Sequence, residues 1–262
     1  MVKNMYSIKK IVNHYGRDYS INYIYRQRSS DLIVFLHGIG CSQDSFADAW
    51  VISYLMEFSI LTFDFIGYGN SSKPEDFSYT MEDQADICEK LIKNYPEQRI
   101  HIVVHSMGGA IGLLLSDNML KSAISFANIE GNLISEDCDL VSRKTINQPY
   151  KEFEAKYIKR CESPSDKDKK KYFDLNQTSP IAFYKSCESL VEWSDSGILI
   201  QKFKSLNCKK AYFYGDKNSD MKILAELDGI EKIKIDNSGH FVMNDNPEEF
   251  YSKLYSLITN TL

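Results

Sequence analysis

The sequence predicts an α/β protein built on a mostly parallel, twisted sheet with helices on both faces. Three observations predict it. From residue 31 onward, short β-branched and aromatic runs alternate with helix-like stretches. These runs are apolar at successive positions, as strands buried on both faces must be. The 262 residues, without internal repeat or low-complexity linker, suit one large domain, or a core with an insertion, with a substantial interior.

The elements follow in order. "KIVNHYG" and "YSINYIYRQR", joined at Gly16-Arg17-Asp18, alternate as one or two strands. The strands after them are "DLIVFLHG", "SILTFDF", "RIHIVVH", "SAISFANIE", "KKAYFYG" and "EKIKID". Helices are predicted at about 44–57, 80–95, 107–120, 219–228 and 247–261. Pro247 opens the last of these, since proline fits the first helical position.

Residues 134–205 break the alternation. They are helical in pattern, charged and strand-poor, and residues 151–171 carry eight Lys/Arg against five Asp/Glu. That charge reads as a solvated helical surface with an exposed turn at Ser163-Pro164-Ser165. The division expected is a core of 1–133 and 206–262 with a helical cap or lid at 134–205. Phe153, Tyr157, Phe183 and Trp193 either wall the pocket or, as is usual for aromatics at helical spacing, pack within the cap.

Composition excludes several classes. A net charge of −5 gives no footprint for nucleic acid or an anionic membrane. No apolar run reaches the roughly 18–20 residues of a spanning helix. "MVKNMYSIKKIVNHYG" lacks an apolar signal core, and the six cysteines are scattered with no CxxC pair, so the expected location is the cytoplasm, with reduced thiols. No metal site or cofactor is expected, and the oligomeric state is left open.

Chemistry concentrates in "IHIVVHSMGGAIGLLL", where a strand gives way to a helix at Ser106. A serine on a sharp strand-to-helix turn, followed by Gly108 and Gly109, is placed as a nucleophile. The usual pattern is G-x-S-x-G, but Val104 stands at the first glycine and crowds the helix–strand contact. "FLHGIG" ends the first central strand at His37-Gly38-Ile39-Gly40, a loop suited to presenting backbone N–H groups to an anion. The oxyanion donors expected are the N–H groups of Ile39 and Met107. His240, in a Ser-Gly-His turn after the last strand, is placed to take the serine proton.

With these pieces in this order, the chain resembles an α/β-hydrolase over nearly its whole length. "FDFIGYGNSSKP" resembles the family's D-x-x-G-x-G-x-S loop, and "SGHFVMNDNPEEF" its terminal histidine-and-helix signature. The resemblance implies the α/β-hydrolase fold, a Ser-acid-His chain order and a lid insertion. It leaves the acid contested. The common G-x-x-D turn reads Gly215-Asp216-Lys217-Asn218, with an asparagine where the aspartate is usual. The alternative placement, as in haloalkane dehalogenases and some lipases, falls on Glu130, which closes an apolar strand 24 residues after Ser106. Glu130 is the favoured acid; Asp216 or Asp220 would require a shifted loop.

The reading is a metal-independent serine hydrolase acting through Ser106, His240 and Glu130 on a small carboxylic ester or related acyl substrate. A carboxylate nucleophile, which dehalogenation needs, is absent at position 106. Carbon–carbon hydrolysis, acyl transfer and thioester cleavage use the same parts. A ligand-binding protein on the same scaffold draws support from Val104 and Asn218. His105 is expected to make supporting hydrogen bonds, and Asp64 to be a structural carboxylate. His14 and His101 read as structural or exposed, and Cys41 as an unreactive thiol that lines the pocket.

Overall fold

The computed structural model describes residues 7–95, 99–139, 141–163 and 175–259. Eight strands form one sheet: β1 (Ile8–His14), β2 (Arg17–Arg26), β3 (Asp31–Leu36), β4 (Ser59–Phe63), β5 (Arg99–His105), β6 (Ser125–Ile129), β7 (Lys209–Gly215) and β8 (Glu231–Ile235). Their order is β1-β2-β4-β3-β5-β6-β7-β8. The β1–β2 hairpin joins antiparallel to β4, and every pairing from β4 to β8 is parallel. The N-terminal stretch forms two strands, the six strand segments expected after it are all present, and β5 is central.

The pleat explains the apolar runs. Along β3, Leu32, Val34 and Leu36 enter one buried cluster while Ile33 and Phe35 enter the other. The first cluster lies under α1 (Met81–Ile92), α2 (Met107–Leu113) and α3 (Asp117–Ser122). The second lies under the Gln43–Trp50 segment and the C-terminal helix Pro247–Thr259. Burial on both faces makes a continuous apolar strand favourable here.

Three predicted helices differ from their sequence pattern. The stretch expected at 44–57 forms 3-10 turns, Gln43–Trp50 and Ser53–Leu55, with Phe46 at φ −110°, ψ 25° interrupting the first. Its opening is tied to the sheet: Gln43 N–H donates to Asp64 Oδ1 at 2.8 Å, and Thr62 Oγ1 to Gln43 Oε1 at 2.9 Å. The stretch at 107–120 splits into α2 and α3 because Ser116 starts a new helix, its N–H and hydroxyl both held at 2.7 Å by the Glu89 carboxylate. The one at 219–228 shrinks to a single turn, Ile223–Glu226.

Between β6 and β7 the described residues form α4 (Ser142–Ile146), α5 (Tyr150–Glu162), α6 (Pro180–Asp195) and α7 (Ile198–Ser205). Here α6 packs on the start of α1, where Met81 N–H donates to Ser189 Oγ at 3.0 Å. Phe153, Tyr157 and Phe183 stack on one another with centroids 5.3–5.8 Å apart, and Phe203 of α7 packs on Phe126 of β6. Phe153, Tyr157 and Phe183 thus pack within this segment's own interior. Pro164 and Ser165 of the predicted exposed turn lie outside the described residues.

Candidate active site

Ser106 joins β5 to α2 at φ 52°, ψ −124°, a region that side-chain-bearing residues rarely adopt. Close backbone packing holds it there. A Cβ on Gly108 would stand 2.5 Å from the Leu36 carbonyl, and one on Gly109 would stand 2.8 Å from Gly131 Cα. The crowding expected from Val104 is met by another glycine: a Cβ on Gly112 would lie 2.7 Å from Val104 Cγ1. The missing first glycine of the motif is thus offset one helical turn beyond Gly108.

The loop after β3 lies against this turn. A Cβ on Gly38 would come within 3.0 Å of Ser106 Cβ and 2.9 Å of His105 Nδ1, so only glycine lets the loop approach. His37 fixes the loop from below. Its Nδ1–H donates to the Gly38 carbonyl at 2.8 Å, and its Nε2 accepts the Phe65 N–H at 3.1 Å. Burial pushes its pKa down to about 4, so it stays neutral and keeps this tautomer. Ile39 follows directly, and Met107 contributes the first N–H of α2, which has no intrahelical acceptor.

Glu130 directly follows β6 and is also at positive φ, 41°. Its side chain is buried, and His240 Nδ1 lies 2.8 Å from Oε2. Oε1 accepts the Gly215 N–H at 2.9 Å, and Asn218 Nδ2 reaches Oε1 and Oε2 at 3.0 and 2.8 Å. Asp216 is instead turned to the surface, where its Oδ1 accepts the Ser238 N–H at 3.0 Å. Asp220 is exposed at the cavity rim.

His105 is buried behind Ser106. Its Nε2 donates to the His240 carbonyl at 3.0 Å, the supporting role expected of it, and burial followed by the neighbouring His240 holds its pKa well below the usual value. Asp64 accepts from Gln43 N, Asn70 N and Asn22 Nδ2, a buried structural carboxylate as expected. His101 bridges Ser125 and Asp31, and His14 is buried between Asp83 and Asp86, which clamps the β1–β2 hairpin to α1. Cys41 corrects an expectation: it is buried, is not among the cavity residues, and burial pushes its thiol up to about 12.

Ser106, Glu130, Asn218 and His240 share a cavity of about 440 Å³ with Ile39, His105 and Phe241. Asn132, Asp137, Val141, Ser142 and Leu190 line it from beyond β6. Asp137 Oδ2 accepts the N–H groups of Leu133 and Ile134, while burial pushes its carboxyl up to about 6. Across the rim, Glu136 Oε1 pairs with Lys222 Nζ at 3.1 Å, joining the two lips.

The family described as alpha/beta hydrolase fold matches residues 31–125. A solved N-acyl homoserine lactonase, AidH, superposes with a TM-score of 0.76 over 98% of both chains at 16% identity. The chain has the α/β-hydrolase fold. The esterase EaEST of Exiguobacterium antarcticum shares this α/β-hydrolase fold, with a TM-score of 0.74 over 96% of this chain and 100% of that one at 15% identity. In sequence, the probable lysophospholipase BODYGUARD 4 of Arabidopsis thaliana is 30% identical over 146 residues, 51% of this chain and 33% of that protein. The chain spans about a third of the length of these curated relatives.

Sequence reasoning missed two contributors to this site. Asn218 was read only as an absent aspartate, and Gly112 was not singled out. Gly112 had a local signal, standing four residues after Gly108 on the same helix face. Asn218 had none, because its partner is 88 residues away.

Proposed function

We propose that this protein is a metal-independent serine hydrolase of a small carboxylic ester or related acyl substrate, with Ser106, His240 and Glu130 as its triad. The observation that carries the reading is the 2.8 Å contact between His240 Nδ1 and buried Glu130, in one cavity with a serine held at φ 52°. With Nδ1–H donated to the carboxylate, Nε2 is the basic nitrogen. Ser106 Oγ attacks the acyl carbon as its proton passes to Nε2, and Glu130 stabilises the imidazolium. The carbonyl oxygen becomes an oxyanion that the N–H groups of Ile39 and Met107 receive. The imidazolium then protonates the leaving alcohol. Water, deprotonated by His240, releases the acid and restores Ser106.

Residues 134–205 act in this reading as a cap, since Asp137, Val141, Ser142 and Leu190 wall the cavity. The cavity volume suits a small acyl group. The six cysteines, scattered through the sequence with no CxxC pair, support a reducing compartment, the cytoplasm. Val104 and Asn218, the two departures that favoured a binding protein, each have a partner compatible with catalysis, Gly112 and Glu130. A fluorophosphonate probe and a p-nitrophenyl ester panel graded by acyl length test the proposal. Labelling of wild type but not Ser106→Ala, with turnover of short esters, is expected; an unlabelled wild type overturns it.

A further inference from the structure

Glu130 needs more to hold it than an aspartate would. Its extra methylene adds a rotatable bond, and its backbone is in the strained left-handed region. One contact to His240 does not fix the plane of such a carboxylate. The second anchor comes from the next strand: the Asn218 amide donates to Oε1 and Oε2 at 3.0 and 2.8 Å, and the Gly215 N–H closes on Oε1 at 2.9 Å. Asn218 ends the short turn Asp216–Asn218 that follows β7.

The residue type matters as much as the place. An aspartate at 218 would set two carboxylates about 3 Å apart, and like charges at that separation cannot both ionise freely. Asparagine has the same size and shape but presents N–H donors to the Glu130 oxygens. Its N–H dipole also draws charge from the oxygen that faces His240. The asparagine at the usual acid position is then the complement of a glutamate on the neighbouring strand.

We infer that Asn218 is a positioning residue, which orients the Glu130 carboxylate and moderates its pull on His240. This rests on the triad proposed above. His240 is also faced by His105, with ring centroids 4.6 Å apart, by Phe241, and by the charge of Asp137 from the segment beyond β6. Variants at 218 leave all of these in place.

The experiment has two arms on the full chain. In the first, Asn218→Ala is compared with wild type and in a Glu130→Gln background on a p-nitrophenyl ester. The expected kcat loss is about 10–100-fold with KM within about twofold, in the range that removing a supporting partner of a site residue produces. In the Glu130→Gln background the same change costs nothing further. The acid limb of kcat/KM moves to higher pH in Asn218→Ala, because a carboxylate relieved of a donor favours the imidazolium more strongly; Asn218→Ser, which keeps one donor, recovers part of the shift. Wild-type kcat with an unmoved limb, or an equal loss in both backgrounds, overturns the inference. In the second arm, NMR titration follows the His240 ring directly, independent of turnover. A raised His240 pKa in Asn218→Ala supports the inference, and an unchanged one overturns it even where esters are hydrolysed. Loss of the hydrolase reading is seen separately, as failure of the fluorophosphonate to label wild-type Ser106.

Discussion

Two adjacent strands of the sheet end in strained turns that are held in different ways. β5 leads into Ser106, φ 52°, and β6 leads into Glu130, φ 41°. The first turn is held by close packing: Gly108 and Gly109 let main chains approach where any Cβ would collide, and Gly38 lets its loop lie against the His105 and Ser106 side chains. The second is held largely by side chains and N–H groups from distant sequence, Gly215, Asn218 and His240, at separations of 85–110 residues. Main-chain crowding leaves a local signature of small residues. A hydrogen-bond network leaves none, because any element the fold brings close can supply a donor.

The comparison is broken most severely at its chemical end. Ser106→Ala and His240→Ala should each abolish p-nitrophenyl ester turnover, with a loss on the order of 10⁴ or more, because nucleophile and base act as one unit. Circular dichroism should remain that of the wild type. Substantial turnover by Ser106→Ala would show that the strained serine is not the nucleophile.

Next comes the acid. Glu130→Gln should lower kcat by something like 10³ to 10⁴ with little change in KM, since the amide both loses the charge and disturbs the tautomer of His240. If Asp216→Asn did comparable damage, the assignment of the acid would be wrong. Asp216 is half-buried and directed away from His240, and its acceptor role toward the Ser238 N–H survives in asparagine, so a small effect is expected.

The packing side of the comparison is sharpened by Gly112→Ala. The new methyl meets Val104 Cγ1, a stiff β-branched group, and should cost about 1–3 kcal/mol of stability as overpacking does. Val104→Ala should relieve it, so the double variant melts above the sum of the single effects. Strict additivity in urea unfolding would show that the two side chains do not compete for one space.

The smallest effect is a pH dependence. His37 is buried neutral, its pKa lowered by burial to about 4 from an ordinary value near 6.5. A depressed folded-state pKa contributes stability that is full above the unfolded value and is lost as pH falls from about 6.5 toward 4. Between pH 7 and 4.5 the wild type should therefore lose on the order of 2 kcal/mol more than His37→Asn. Equal losses in the two proteins would show that His37 is not held neutral.

The boundaries of legibility follow the same division. The strand segments from Asp31 to Ile235 were readable because burial on both faces demands unbroken apolar runs. The helix predicted at 107–120 was not, since its break at Ser116 depends on the carboxylate of Glu89, 27 residues earlier. The 3-10 form of Gln43–Trp50 was equally hidden, because Asp64 and Thr62 draw its first residue toward the sheet.

By itself the sequence determined the alternating α/β order, the serine turn, the glycine-bearing loop before Ile39 and the late histidine. Each is dictated by local sterics or by apolar periodicity, which act within a few residues. Tertiary structure alone decided that Asp216 turns to the Ser238 N–H, that Gly112 makes room for Val104, and that Asn218 bonds Glu130. Those outcomes depend on where β5, β6 and β7 lie side by side, and parallel pairing joins strands whose connections are long. A carboxylate buried there is stable only with its donors in place, and the sheet, not the local sequence, brings them to it.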